Sequence, residues 1–236
     1  MRGLTTISNN NSILAALPDR VNRSLVPYLR PVELERGQIL HESGEVVKQI
    51  YFPTDSIISL LGTTEEGWSV QLGLIGKEGV VGMVGLLEAK TMPYKAAVQI
   101  RGGALEMRSD VLGRAIQRHH SLGHILLDHM HSLLGQISQS AVCNRFHSLE
   151  QRLARLLLSL HDRIEADELP LTQDLISLLL GSRRPSVTIS AGALQRAGLI
   201  NCARGQVTIR NRDALEAVAC ECYAIIRSSF DQSGRL

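Results

Sequence analysis

Aromatic residues are scarce: one Trp, four Tyr and three Phe make up 3% of 236 residues. Readers of single strands and of RNA stack bases on aromatic rings, so too few platforms exist here for that mode of recognition. No cysteine precedes Cys143, and the four present (Cys143, Cys202, Cys220 and Cys222) form no CxxC pair. In a reducing compartment they are read as free thiols, and no metal site is expected. Apolar runs such as Ile13–Leu17 and Leu156–Leu158 fall far short of the roughly 20 residues that span a bilayer. No secretory signal is visible before Asn9–Asn11, and the expected location is the cytoplasm. With 44% hydrophobic residues the chain can bury a substantial core, which excludes a disulfide-stapled miniprotein and a disordered tail.

An excess of either charge is also missing: 25 basic and 23 acidic residues give a formal net of +2. Divided along the chain, the balance breaks. Residues 1–170 carry a net −1, residues 171–212 carry six Arg and one Asp for +5, and residues 213–236 carry −2. A short basic window inside a neutral chain is the footprint expected where phosphates are met. Lysines stop at Lys95, and every later base is Arg. Arginine suits bidentate phosphate and guanine contacts, although a GC-rich genome gives the same bias.

Three textures follow one another. Helical spacing from Ile13 to Leu29 is interrupted by Pro31. Short strands are then predicted at Gln38–His41, Val47–Phe52, Ile57–Leu61, Ser69–Leu74 and Ala96–Ile100, with turn signals that include Gly102–Gly103. Many short strands point to a β-sandwich, barrel or roll. From Ser109 onward the pattern is helical, and Leu126, Met130, Leu133, Ile137, Ser140 and Asn144 step 4-3-4-3-4 as a heptad seam. Leu126, Met130, Leu133 and Ile137 are the candidate dimer contacts. A second amphipathic stretch, Leu149 to Leu160, ends near Pro170, where a compact unit begins.

Leu171–Ile200 reads as a helix-turn-helix. Thr172 is a good N-cap, Leu175, Ile176, Leu179 and Leu180 carry one apolar face, and Gly181 supplies the left-handed turn. Pro185 fits an early position of the second helix, whose Val187, Ala191 and Leu194 would face inward. Arg183, Arg184, Ser186 and Thr188 would then face out at the end where base edges are met. Gly205 joins two short strands into a wing, with Arg204 and Arg210 placed for flanking phosphates. Thr172, Arg183, Arg184, Ser186, Thr188, Arg204 and Arg210 are the candidate DNA contacts.

With these motifs, and with YFPTDSIISLL and GKEGVVGMVGLL, the chain resembles the Crp/Fnr superfamily of bacterial transcription regulators along nearly its whole length. The resemblance implies an α+β fold: a β-roll of the cyclic-nucleotide-binding type over 1–118, a long dimerisation helix over 119–147, and a winged helix-turn-helix over 148–236. It places the effector pocket at Gly82, Met83, Tyr94 and Lys95. Met83 stands where relatives that bind cyclic nucleotide carry a ribose-binding glutamate. Tyr94 and Lys95 stand where those relatives carry the arginine–serine pair that holds the cyclic phosphate. A thioether cannot replace a carboxylate, and the guanidinium fork is absent. Arg184 matches the family's second recognition-helix arginine, whereas its following glutamate is Pro185 and its later arginine Ile189, so a different target sequence is implied. The family's iron–sulfur cluster needs cysteines near the amino terminus, and this chain has none there.

Other motifs fall short of chemistry. Glycines at 73, 76, 79, 82 and 85 recur every three residues, but Lys77 is followed by Glu78, and no phosphate loop results. His120 and His124 have metal-ligand spacing without a third ligand, and His147, Ser148 and Glu150 cannot converge as a triad. No catalytic residue and no cofactor is expected. The predicted partners are palindromic double-stranded DNA and a second copy of the chain, with RNA polymerase and an unknown small-molecule effector as further candidates and no membrane. The alternative is a sensor for which cyclic nucleotide or another small molecule is the obligatory effector.

Overall fold

The structure, a computed structural model, describes residues 10–86, 91–164 and 166–231. These divide into two compact units, one of residues up to 61 with 73–134, the other of 62–72 with 135–231. The fold is α+β, with an amino-terminal β-roll, a long helix and a carboxy-terminal winged helix-turn-helix.

The first unit opens with α1 (Ser12–Ala15) and α2 (Asp19–Leu25), followed by a short 3-10 turn at Val26–Tyr28. The single helix predicted over 13–29 is therefore broken. Pro18 and Pro27 lack the N–H that an uninterrupted ladder requires. Buried Asn11 caps α1 by accepting from the amides of Ile13 and Leu14, and its own amide donates to the carbonyls of Pro53 and Gly79. One polar side chain thus anchors the segment to two loops of the roll.

Seven strands follow: β1 (Arg30–Leu34), β2 (Ile39–His41), β3 (Gln49–Pro53), β4 (Ile57–Thr63), β5 (Ser69–Ile75), β6 (Lys95–Ile100) and β7 (Gly102–Arg108). They form a three-stranded sheet in the order β1-β7-β3 and a four-stranded sheet in the order β2-β6-β4-β5. Ile50, Phe52, Leu105 and Met107 from the first, and Ile58, Leu60, Ala96 and Val98 from the second, are buried and supply much of the core. β1 and β7 carry no alternation in the sequence that marks them. Gly102 and Gly103, read as a turn, instead begin β7, paired with Leu34 and Glu33. A Cβ on Gly102 would stand 2.7 Å from the Ser56 nitrogen and 2.9 Å from the Asp55 carbonyl carbon, so glycine is needed there for close backbone approach.

Beyond β7 run α3 (Ser109–Arg118) and the long α4 (His120–Phe146). On α4 the residues Leu122, Leu126, His129, Ser132, Gln136, Ser140 and Cys143 are all buried. The inward seam therefore includes Leu126, only 2% exposed, which corrects its assignment as a dimer contact: its surface is already spent within its own protomer. Met130, Leu133 and Ile137 are half-buried, while Leu127 and Leu134 stand 62% and 63% exposed. The apolar seam left open is displaced by one position from the heptad read in the sequence.

The second unit contains α5 (Leu149–Ile164), β8 (Glu168–Leu169), α6 (Gln173–Leu180), α7 (Arg184–Arg196), β9 (Ile200–Ala203), β10 (Gln206–Ile209), α8 (Arg212–Val218) and α9 (Cys222–Asp231). Leu153, Leu156, Leu157 and Leu160 of α5 are buried beneath α7 and α8. The small sheet runs β8-β10-β9, antiparallel throughout. Among the described residues no helix is long and apolar enough to cross a membrane.

Candidate nucleic-acid interface

The local geometry of the helix-turn-helix follows from four residues. Thr172 caps α6 by accepting from the Leu175 amide at 3.2 Å, a bond that stabilises such helix starts by about 1 kcal/mol. Gly181 ends α6 in the left-handed region at φ 56°, and Ser177 secures the turn by donating its hydroxyl to the Ser182 carbonyl at 2.6 Å. Pro185 sits in the first turn of α7, where its missing N–H costs nothing. Val187, Ala191 and Leu194 are then buried together against α5 and α6.

The opposite face of α7 is open. Arg183, at the N-cap, and Arg184, Ser186, Thr188 and Ile189, in the amino-terminal half of the helix, are exposed. Arg184 Nε is 3.2 Å from Asp174 Oδ1, with both side chains more than half exposed. Thr188 donates its hydroxyl to Gln173 Oε1 at 2.7 Å, so its donor is engaged in the free protein. Thr172, by contrast, is half-buried and spends its hydroxyl on the cap, which leaves it a part in positioning α6. Ile189 is 71% exposed, an apolar side chain with no apolar reason to be in water.

The wing is a two-residue hairpin. Ala203 pairs with Gln206, and both residues between them have positive φ, Arg204 at 49° and Gly205 at 77°. That is the type I′ geometry favoured by the strand twist. It holds Arg204 at the tip, and Arg210 lies exposed at the end of β10. Between the wing and the start of α7 lies a groove of about 430 Å³ lined in part by Thr172, Gln173, Arg184, Arg204 and Gln206. Of the predicted residues, the groove brings Thr172, Arg184 and Arg204 together. Arg212 does not join it, although it contributes to the +5 window. Its guanidinium donates to Asp162 at 2.6 Å and to the Tyr223 hydroxyl at 2.8 Å, a knot tying α5, α8 and α9. Burial and the neighbouring Asp162 push the Tyr223 hydroxyl up to about 12, and it donates to Asp162 at 2.9 Å.

The predicted effector residues of the β-roll differ in kind. Met83 and Tyr94 are buried, and burial raises the Tyr94 hydroxyl to about 12. Lys95 pairs with Glu42 at 3.1 Å. Gly82 has φ 93°, and a Cβ there would stand 3.0 Å from the Gln49 carbonyl and 3.0 Å from His41 Nε2. A cavity of about 620 Å³ in this unit is lined instead by Val46–Gln49, Leu86, Arg108–Asp110 and Gly113. Gly79, one of the regularly spaced glycines, packs against the imidazole of buried His129, which lies 3.3 Å from the Val80 backbone. Among the described residues His120 and His124 acquire no third ligand.

All four cysteines are free thiols, as the sequence reading has them, but three of them lie close together in a way that their spacing does not announce. Cys143, Cys220 and Cys222, up to 79 positions apart, come together with His147, their donor atoms within 4.8 Å of one another. Cys202, on the wing, stays apart as a free thiol.

Known proteins share this plan. Residues 151–218 match the Crp-like helix-turn-helix domain, and residues 31–119 match the cyclic nucleotide-binding domain. The chain belongs to the Crp/Fnr family of transcription regulators. A global nitrogen regulator of Synechocystis is 24% identical over 212 residues, covering 86% of this chain and 93% of that one. Among solved structures, FixK2 from Bradyrhizobium japonicum superposes with a TM-score of 0.70 at 15% identity, covering 81% of this chain and 98% of the other. A transcriptional regulator of the CRP family from Thermus thermophilus gives a TM-score of 0.68 at 21% identity, covering 80% and 96%. At these identities the structures speak to the fold alone.

Proposed function

We propose that this family member is a homodimer that reads an inverted-repeat operator in duplex DNA. The observation that carries the reading is the exposed cluster Arg183, Arg184, Ser186, Thr188 and Ile189 at the N-cap and amino-terminal half of α7, beside a wing that ends in Arg204. Arg184 offers a planar fork for guanine, and Ile189 an apolar surface for a thymine methyl. Arg183, Arg204 and Arg210 meet phosphates, which set register and carry no base information. Leu127 and Leu134, with half-buried Met130 and Ile137, offer the apolar seam for the second copy. Two recognition helices would then enter major grooves about 34 Å apart. The β-roll acts as the sensor of a signal other than cyclic nucleotide, because Met83 and Tyr94 fill the positions where polar ligand groups would be required. A cytoplasmic location accords with a DNA partner, and RNA polymerase is the further partner this reading suggests.

Selection of duplex DNA from a random pool by the full-length chain, followed by footprinting and sedimentation, tests this. Recovery of an inverted repeat with one dimer bound supports it. Recovery of no preferred duplex, or of an asymmetric single site bound by a monomer, overturns it. Repeating the selection with cell extract shows whether an effector is obligatory.

A further inference from the structure

Cys143 and His147 stand one helical turn apart at the carboxy-terminal end of α4, and the His147 amide still donates to the Cys143 carbonyl at 3.2 Å. Cys220 and Cys222 flank Glu221 at the entry to α9. Cys143 Sγ lies 3.5 Å from Cys220 Sγ, and Cys222 Sγ lies 3.4 Å from His147 Nδ1. All three sulfurs are buried, and the His147 ring is only 13% exposed. In a tetrahedron with zinc–sulfur bonds of about 2.3 Å, donors are about 3.8 Å apart. Four donors within 4.8 Å of one another therefore enclose the space of a single ion. The space between them is too small for a cluster of several irons bridged by sulfide.

Two further features are what a metal site requires around it. His147 Nε2 is 3.2 Å from the Glu221 carboxylate, which would fix the tautomer with Nδ1 free to ligate. Gln139 Nε2 donates to Cys222 Sγ at 3.1 Å, a bond that supports a thiolate. The local charge asks for an anion as well. Arg152 and Arg155 lie within electrostatic reach of Cys143, the Nε of each is buried without a hydrogen-bond partner, and neither has a carboxylate partner among the described residues. Three thiolates, a neutral imidazole and a divalent ion carry a net −1, which those guanidiniums would offset.

We propose that Cys143, His147, Cys220 and Cys222 bind one tetrahedral divalent cation of the zinc class. The soft Cys₃His set selects zinc over the hard cations, and with four protein ligands the site is closed and structural rather than catalytic. Its effect is to staple the end of α4 to α9 within the second unit.

The test uses the full-length chain, purified under reducing conditions without chelator. Elemental analysis is expected to find one zinc per chain. After removal of the metal, cobalt(II) titration should give the visible bands of tetrahedral thiolate-ligated cobalt and saturate at one equivalent. Cys222→Ser should lose the bound metal and Cys202→Ser should keep it. The wild-type titration needs no variant to fold. Failure of the wild type to take up cobalt, iron with acid-labile sulfide, a Cys143–Cys220 disulfide in the freshly reduced protein, or retention of stoichiometric metal by Cys222→Ser would each overturn the proposal.

Discussion

The β-roll and the winged unit treat the positions a regulator needs in opposite ways. In the roll, Met83 and Tyr94, the candidate effector positions inferred from the resemblance, are both turned into the core. In the winged unit, Arg183, Arg184, Ser186 and Thr188 remain in solvent at the start of α7, with their supporting residues Val187, Ala191 and Leu194 buried beneath them. One unit buries the side chains at its candidate ligand positions, and the other leaves those of its candidate DNA contacts in solvent. A fold therefore carries less functional information than the exposure of a few side chains on it.

The comparison can be broken at several points. The largest effect is expected in the support of the reading head. Leu194→Ala removes a fully buried side chain and should destabilise the second unit by about 2–5 kcal/mol, read from urea denaturation. A loss within ±0.5 kcal/mol would mean that α7 is not held by its buried face.

Met83→Glu introduces the carboxylate that the resemblance places at this position in nucleotide-binding relatives and tests whether the roll lacks only one group. The expected outcome is no cyclic nucleotide binding in calorimetry and a stability loss of about 1–3 kcal/mol from a buried, unpartnered carboxyl. Measurable nucleotide affinity would erase the contrast between the two units.

Arg184→Ala should weaken operator binding by about 1–3 kcal/mol and relax discrimination at one base position. A uniform loss across sequences would make Arg184 a phosphate contact instead. Asp174→Asn removes the ion pair that occupies Arg184 in the free protein. Because the pair is exposed, stability should change by less than about 1 kcal/mol, while operator affinity, measured by fluorescence anisotropy, stays equal or rises.

The smallest effect is one of pH. Burial holds the His41 imidazole below its ordinary value of 6.5, outweighing the nearby Glu45 carboxylate and the backbone bond to Gln49, both of which act to raise it. A depressed histidine contributes stability that is present above about 6.5 and is lost as pH falls below it, because the unfolded chain binds the proton first. His41→Gln should flatten that part of the acid dependence of the β-roll, as read from denaturation midpoints on either side of pH 6.5. An unchanged acid slope would show that His41 carries no share of it.

The helix-turn-helix was legible because its determinants are local. A cap at Thr172, a left-handed glycine at 181, a proline in the first turn of α7 and apolar residues at Val187, Ala191 and Leu194 act within about 25 residues of chain. Each has one physical meaning, and they agree. The wing was legible for the same reason, since Arg204–Gly205 can close only a tight hairpin. Strands β1 and β7 were not, because Gly102 and Gly103 look like a turn until Ser56 is seen to press against them. The apolar seam left open on α4 was misread by one position: periodicity finds an apolar stripe but cannot say which part of it the chain itself covers. Leu126 went inward and Leu127 stayed out.

What the sequence determined by itself was whatever depends on neighbours along the chain: the basic window, the capped and turned helices, the hairpin, and the lack of stacking aromatics. Only the tertiary structure decided what depends on residues far apart. It consumed Arg212 in a bond to Asp162, drew Met83 and Tyr94 into the core, and brought Cys143 and His147 to Cys220 and Cys222. Spacing in sequence constrains contacts across one or two helical turns. Beyond that distance the chain's route through space sets them, so four scattered residues became a cluster that no motif had announced.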